Sequence, residues 1–369
     1  MPLALEEGNM EEYKKIDLFT LELGRELCAD EKIDKILKII SALRKEIFDQ
    51  LGVALPTIRI KSNFNLKPGE YVIKVSEIKA ASFEIKNDSL LIVDIGNVKS
   101  AMKGESAKDP VFQLDAIWIP CEKEALAQKK GYFIISFEKI IKTHLKEIIK
   151  NNITSVITTQ YVNDLLDEIS VENEALCSQI AQKFGKMSYA VVKEVLQSLL
   201  HEDVSIKNII LILEGLCETD YGDNWSIKNL TEKARFALAS DIISGIAEKG
   251  RLNLIKLEKN LMEYLFAHSK DLENLIIDDK VKKLFSDEFS NIIERQESNP
   301  VVLCIEPVRH EVEIFVKDIC LFQGVKVISD TELYSALRHI ENLEVNIVAA
   351  IGEKQDKKSK SVPVTWESA

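Results

Sequence analysis

The sequence predicts a mixed α/β protein of several domains, and three observations predict it. A helical apolar repeat near the start is followed by short runs that alternate like strands. From about Thr158 to Lys249 only helical periodicity is present. After Gly250 strand and helix patterns alternate again. A chain of 369 residues has room for about two to four such domains.

Met1–Lys15 is acidic and reads as a linker. Glu31–Leu51 is the clearest helix: Ile33, Ile36, Leu37, Ile40, Leu43, Ile47 and Leu51 recur at helical spacing, Gly52 stops it, and Asp30 is placed to cap it. Strands are expected at Thr57–Lys61 and Tyr71–Ile78, with a Lys67–Gly69 turn between them. Ser82–Ile85 and Leu90–Asp94 follow, joined by Asn87-Asp88. Asn97–Pro110 is polar and reads as a loop. Ala116–Ile119 and Tyr132–Ile135 are short strands, and Phe137–Lys150 is an amphipathic helix. The helical stretch contains Tyr161–Glu168, Glu174–Phe184, Ser188–His201, Ser205–Cys217 with Ser205 as its cap, and Ser226–Lys249. The last part alternates: strand Leu252–Leu257, helices Lys259–His268 and Lys280–Gln296, strand Val301–Ile305, helix Arg309–Leu321, strand Val325–Ile328, a short helix near Leu333–Ile340, and strand Glu344–Ala350. Glu353–Ala369 is rich in Lys and Ser and is expected to be disordered.

Composition excludes several functions. With 48 Lys plus Arg against 60 Asp plus Glu the net charge is −12, so nucleic acid and anionic lipid are not default partners. No run of 18 apolar residues spans a membrane, and the N-terminus lacks the order of a signal peptide. Cys28, Cys121, Cys177, Cys217, Cys304 and Cys320 are too scattered for a disulfide framework or a zinc site, and read as reduced, mostly buried thiols. The phosphate loop of an NTPase, the HExxH zinc motif and the GxSxG elbow are all missing. His144, His201, His268, His310 and His339 have no neighbours at ligand spacing and read as surface or packing residues. No cofactor or metal is expected.

Two aromatic positions stand out. Trp118 lies in the expected strand Ala116–Ile119 and reads as core. Phe112 follows a polar, Pro-bearing segment, Lys108-Asp109-Pro110-Val111. It either begins a strand and packs inward, or stands exposed as an anchor for a partner.

Four segments, in order, resemble the cytoplasmic domain of the type III export-gate family, called FlhA in flagella and SctV or LcrD in virulence injectisomes. Leu21-Glu22-Leu23-Gly24, with Leu51-Gly52 and Leu55–Asn63, is similar to LELG … IRIRDN. Asp109–Ile119 is similar to EPAFGLPAxWI, Gly131-Tyr132 through Thr143-His144-Leu145 to GY…ATHL, and Val204–Asn208 with Ile212–Leu216 to VSIRDLRTILETL. The match covers roughly residues 17–350.

The resemblance implies four subdomains: a first, α/β subdomain (17–86 and 137–156) interrupted by a small β-rich insert (87–136), a helical third (157–249) and an α/β fourth (250–352). These are flanked by a linker (1–16) and a tail (353–369). It implies a non-enzymatic, ring-forming homo-oligomer, typically nonameric, at the cytoplasmic face of the bacterial inner membrane. The ring would receive chaperone–substrate complexes, a gatekeeper protein and components of the export ATPase complex, and would order export. Attachment to the membrane would come only through an N-terminal multi-span domain that this chain lacks. The chaperone-docking residues carry over as Asp109, Phe112 and Thr143, with the family's spacing kept. Departures from the pattern, such as Ile58-Arg59-Ile60-Lys61-Ser62-Asn63 for IRIRDN, lean toward the injectisome branch. The flagellar branch, a cytosolic α/β enzyme without a recognisable motif and a free-standing adaptor are the rival expectations.

Overall fold

The computed structural model describes residues 16–218, 225–268, 279–293, 301–319 and 325–352, in two compact units that divide after Thr158. The expected linker and tail, residues 294–296 and 320–321, Cys320 and the side chain of His268 lie outside the described residues.

The first unit opens with β1 (Phe19–Leu23), all five residues of which are buried. The strand is central: it pairs in parallel with β2 (Ile58–Ser62) and antiparallel with β3 (Glu70–Val75), and β4 (Ile78–Glu84) completes the order β2-β1-β3-β4. Leu21 opposite Ile73 and Leu23 opposite Tyr71 share one face. On the other face Glu22 is held by Lys74 Nζ at 2.6 Å and Asn63 Nδ2 at 2.8 Å. Gly24 ends the strand. Its N–H donates to Glu70 O at 2.8 Å, and a Cβ there would lie 2.2 Å from Lys67 O, so only glycine fits.

Helix α1 (Asp30–Leu51) buries Ile36, Ile40, Leu43, Ile47 and Leu51, and ends on Gly52 at φ 74° with its N–H on Phe48 O. Asp30 is not the cap. Ala29 is, without a side-chain bond, because a tight turn at Arg25–Cys28 runs straight into the helix and Asp30 already takes helical backbone angles. The expected strand at Tyr71–Ile78 breaks at Ser76-Glu77, both at positive φ (49° and 66°), which turn β3 into β4. A two-residue turn made without Asn or Gly leaves no sequence signal.

Asn87-Asp88 links two sheets rather than two paired strands. The second sheet contains β5 (Ser89–Val93), β6 (Glu105–Lys108), β7 (Asp115–Pro120) and β8 (Phe133–Ile135), antiparallel in the order β6-β7-β5-β8. Strand β6 lies inside the expected loop Asn97–Pro110; as an exposed edge strand it has no apolar face to announce it. A short helix, α2 (Glu124–Lys130), was not anticipated. Helix α3 (Phe137–Asn151) follows, capped by Ser136. It packs beside α1, where Glu46 binds Lys142 and Lys146 at 2.9 and 2.5 Å; these lysines hold its carboxyl down to about 2.

The second unit begins with α4 (Thr159–Ser170), α5 (Glu174–Phe184), α6 (Ser188–His201), α7 (Ile209–Cys217), α8 (Ile227–Ala237) and α9 (Ala239–Ile246). Ser205 does not cap α7, which starts four residues later; its Oγ accepts from Lys207 N in the preceding turn. The expected single helix Ser226–Lys249 is two, broken at Leu238, although Ser226 does cap the first. Next come β9 (Arg251–Leu257), α10 (Lys259–His268), α11 (Asp279–Ile293), β10 (Val301–Cys304), α12 (Arg309–Ile319), β11 (Lys326–Ser329), α13 (Asp330–Leu337) and β12 (Glu344–Ile351). The parallel sheet, ordered β11-β10-β9-β12, is covered on both faces. Ile255 and Val302 pack on Phe285, Phe289 and Phe315; Leu254 and Ile328 pack on Ile243 and Ala336. Helix α13 starts at Asp330, earlier than its apolar pattern, because Ser329 and Glu332 form a capping box.

A buried ionic network joins the helices of this unit to its sheet layer. Arg309 on α12 is fully buried and forks onto Glu232 of α8, with Nε–Oε2 at 2.7 Å and a shorter Nη2–Oε1 bond. Its Nη2 also meets Glu202, at the end of α6, at 3.0 Å. Arg235 of α8 binds the other Glu202 oxygen at 2.8 Å and lies 2.8 Å from Glu332 of α13. Lys317 and Lys326 donate to His201 O and Glu202 O, so cations meet the carbonyl end of α6. Burial pushes the Glu202 carboxyl up, but the His310 hydrogen bond and the charges of Arg309 and Arg235 outweigh it and hold it far below 4.5.

Of the five described cysteines only Cys304 is buried; Cys121 is exposed and the others half-buried, so the expectation of mostly buried thiols is corrected. Trp118 is core, 6% exposed.

Arg309→Met leaves buried carboxylates without their cation and is expected to cost about 3–5 kcal/mol. Urea unfolding, followed by hydrogen exchange of α8 and α12 peptides, measures this. Glu202 is lowered on folding, so its stabilisation is present above pH 4.5 and fades as the pH falls below it. The stability gap between the wild type and Glu202→Gln should therefore shrink on titration from pH 6 to pH 3.

Candidate docking site

The β6–β7 hairpin carries two of the three residues singled out in the sequence. Asp109 N donates to Leu114 O at 2.9 Å and Gln113 N to Asp109 O at 3.1 Å, which closes the loop. Inside it the Asp109 carboxylate accepts from its own backbone: Oδ2 meets Val111 N at 3.1 Å and Phe112 N at 2.6 Å. An aspartate that satisfies amides two and three residues on is a known turn former. Gln113 completes the turn at φ 56°.

The consequence is a division of labour. Asp109 is 6% exposed and spends its oxygen on shaping the loop. Phe112 is 64% exposed and Leu114 46%, so the loop presents an aromatic and an aliphatic side chain to solvent. Of the two readings left open for Phe112, inward packing is excluded. Large apolar groups held out on an ordered turn are suited to fill a partner's pocket.

Thr143 lies on the exposed side of α3. Among the described residues no hydrogen bond joins it to Asp109 or Phe112. The next residue ties α3 to β3. His144 is 6% exposed, and its Nδ1 shares a hydrogen bond with the Tyr71 hydroxyl at 2.8 Å. The Asp109 charge reaches both groups. Burial, with that charge, pushes the Tyr71 phenol well up; burial lowers the His144 imidazole, and the charge of Asp109 opposes the shift. This pair was not anticipated. His144 read as one of five scattered histidines, and Tyr71 lies 73 positions away.

The single His–carboxylate grouping with ligand-like spacing among the described residues is Glu202, Glu232 and His310, whose ligand atoms lie within 4.8 Å of one another. Both Glu202 oxygens and both Glu232 oxygens already accept from Arg309 or Arg235. A divalent cation would have to displace a guanidinium, so the group acts as an ionic brace. No described helix is long and apolar enough to cross a membrane.

With loop and helix in place, comparison with known proteins is informative. Residues 3–338 match the model of the FHIPEP family. The chain belongs to the FHIPEP family. Among curated relatives of this FHIPEP chain, the flagellar biosynthesis protein FlhA of Borreliella burgdorferi is 29% identical over 346 residues, covering 91% of this chain and 48% of that protein. FlhA of Treponema pallidum is 32% identical over 257 residues, 68% of this chain and 36% of that protein. The chain thus spans about half the length, or less, of these relatives. Among solved structures, the nonameric SctV-C of EPEC matches with TM-score 0.70 at 18% identity, covering 91% of this chain and 98% of that one. The Chlamydia pneumoniae CdsV and CdsO complex matches with TM-score 0.73 at 18% identity, covering 93% and 100%. These likenesses show the fold, and the mixed α/β architecture expected from the sequence is the architecture found. The expected membership of the export-gate family is met, and it does not by itself choose between the flagellar and injectisome branches.

Asp109→Ala removes the acceptor for two loop amides. Amide exchange at Val111 and Phe112 should speed up tenfold or more, with a stability loss of about 1–3 kcal/mol confined to the first unit. Exchange mass spectrometry of a peptide spanning the loop checks it.

Proposed function

We propose that this chain is the ring-forming cytoplasmic part of an export gate, which docks chaperone–substrate and gatekeeper complexes and orders their export. The observation that carries the proposal is Phe112: an aromatic ring held 64% exposed on a loop whose shape is fixed by its own buried aspartate. Family membership supports the setting, and the nonameric state of matched structures supports a ring of copies of this chain. The CdsV and CdsO complex supports a second class of partner from the export machinery.

In this reading Phe112 and Leu114 supply apolar anchors, Thr143 a hydroxyl on the wall of α3, and Asp109 the loop geometry. No bond is made or broken, so the site works by recognition alone. Four subdomains are proposed. The first unit holds an α/β subdomain (17–86 and 137–156) with the second sheet inserted (87–136). A helical subdomain (157–249) and an α/β one (250–352) follow. The domain would work at the cytoplasmic face of the inner membrane, tethered by a membrane part that the longer relatives have room for. The proposal is made at the level of the export gate, since both branches of the family match.

Phe112→Ala should weaken binding of a cognate chaperone–substrate complex tenfold or more, the loss expected of a central aromatic anchor. Melting temperature should stay unchanged, because the ring is exposed. Mass photometry over a concentration series reads both complex and ring. Unchanged chaperone binding by the variant would remove Phe112 from the site, and a strict monomer at every concentration would argue against the ring.

A further inference from the structure

Strand register puts a second exposed aromatic on the face that carries Leu114. Phe133 of β8 stands opposite Val93 of β5, and Val93 opposite Ala116 of β7, so the three side chains share one face of the second sheet. The bond from Asp109 N to Leu114 O extends the β6–β7 ladder by one pair. Leu114 is therefore in line with β7, two residues before Ala116 and on that same face. Val93 and Ala116 are buried, while Leu114 and Phe133 are 46% and 47% exposed. Two strand spacings across and two residues along set these two positions about 12 Å apart. A row of rings packs this sheet to α3. His144 meets Tyr71 of β3 edge-on at 5.8 Å between centroids, Tyr71 meets Phe83 of β4 at 6.5 Å, and Phe83 stacks on Trp118 of β7 at 6.2 Å.

A charge accompanies the aromatic. Lys139 of α3 is exposed and holds its Nζ 5.4 Å from the centre of the Phe133 ring. It lies one turn before Thr143, so the two share a side of the helix. Among the described residues no carboxylate comes within 4.0 Å of Lys139, whereas Lys142 and Lys146 share Glu46, and Glu138 meets Lys35 of α1. Glu147, one turn beyond Thr143, accepts from Asn151. At the hairpin Lys108 is matched by Asp115 at 3.5 Å, and Asp94 and Asp115 alternate to the other face of the pleat. The cation beside Phe133 is thus left without a counter-charge.

We propose that Leu114, Phe133 and Lys139 form a second contact area of the docking site, and that its occupant is an amphipathic helix of the chaperone–substrate complex. That helix carries two apolar side chains about two turns apart and a carboxylate beside the one that meets Phe133. The proposal rests on the docking role given to Phe112 above. Two helical turns span about 11 Å, which matches the spacing of Leu114 and Phe133. A partner carboxylate gives Lys139 the ion pair it lacks within its own chain, and such an exposed pair selects and orients a partner more than it tightens the complex.

The probe is a helical peptide of about 20 residues, with two leucines about seven positions apart and a glutamate one turn from one of them. A twin carries lysine in place of the glutamate. Fluorescence anisotropy reads the binding of both to the whole 369-residue chain at low and high salt, and the melting temperature shows that each variant is folded. The wild type should prefer the glutamate peptide about fivefold at low salt and lose that preference at high salt. Lys139→Glu should reverse the preference, and Phe133→Ala should weaken binding of both peptides about tenfold. Lys139→Glu should also bind a cognate chaperone–substrate complex about fivefold more weakly. Equal binding of the two peptides by the wild type, binding of neither, or undiminished binding of the complex by Lys139→Glu overturns the proposal. A complex weakened by Phe112→Ala but not by Lys139→Glu keeps the docking site and removes this contact, whereas a complex indifferent to Phe112→Ala removes the docking site itself.

Discussion

A carboxylate taken out of water must be met by donors or it unfolds what surrounds it. Each unit of this chain holds such groups, and one in each shows how they are met. In the first unit Asp109 is met by the amides of its own loop, and the loop thereby acquires a fixed shape. In the second, Glu202 is met by Arg309, Arg235 and His310, and the helical and sheet-bearing layers are thereby joined. The two solutions differ in reach. Amides two and three residues away satisfy the aspartate locally; guanidiniums 33 and 107 positions away satisfy the glutamate only once the unit is assembled.

That difference has functional content. A local solution can hold an apolar side chain outside the core, because the loop does not need that side chain for its own stability. Phe112 is therefore free to act as an anchor. A long-range solution resists partial opening, since removing either partner strands a buried charge. This would suit a unit that keeps its shape within the proposed ring. The aromatic row from His144 to Trp118 adds a packed link across the first unit, between the helix and the hairpin that together would form the docking surface.

Much of the fold was legible because its long helices and central strands announce themselves by period. The five buried positions of α1 are all among those read from spacing, whereas β1, a five-residue alternation of apolar and polar residues, was not read as a strand. What escaped had a physical reason. Strand β6 is an edge with no apolar face, the Ser76-Glu77 turn has no Asn or Gly to mark its positive φ, and α9 continues the apolar pattern of α8 across a break that periodicity does not mark. At the site, the sequence singled out Asp109, Phe112 and Thr143 through their likeness to a family motif. It could not show that Asp109 points inward while Phe112 points out, nor that His144 finds Tyr71, because side-chain direction and long-range pairing are set by assembly.

The central claim is that the hairpin and the exposed side of α3 form one docking surface, and the most direct measurement is hydrogen exchange of the whole chain with and without a cognate chaperone–substrate complex. The account predicts new protection in peptides covering residues 109–119 and 140–146. Protection confined to the second unit, with those two segments exchanging at unchanged rates in the bound state, would contradict it.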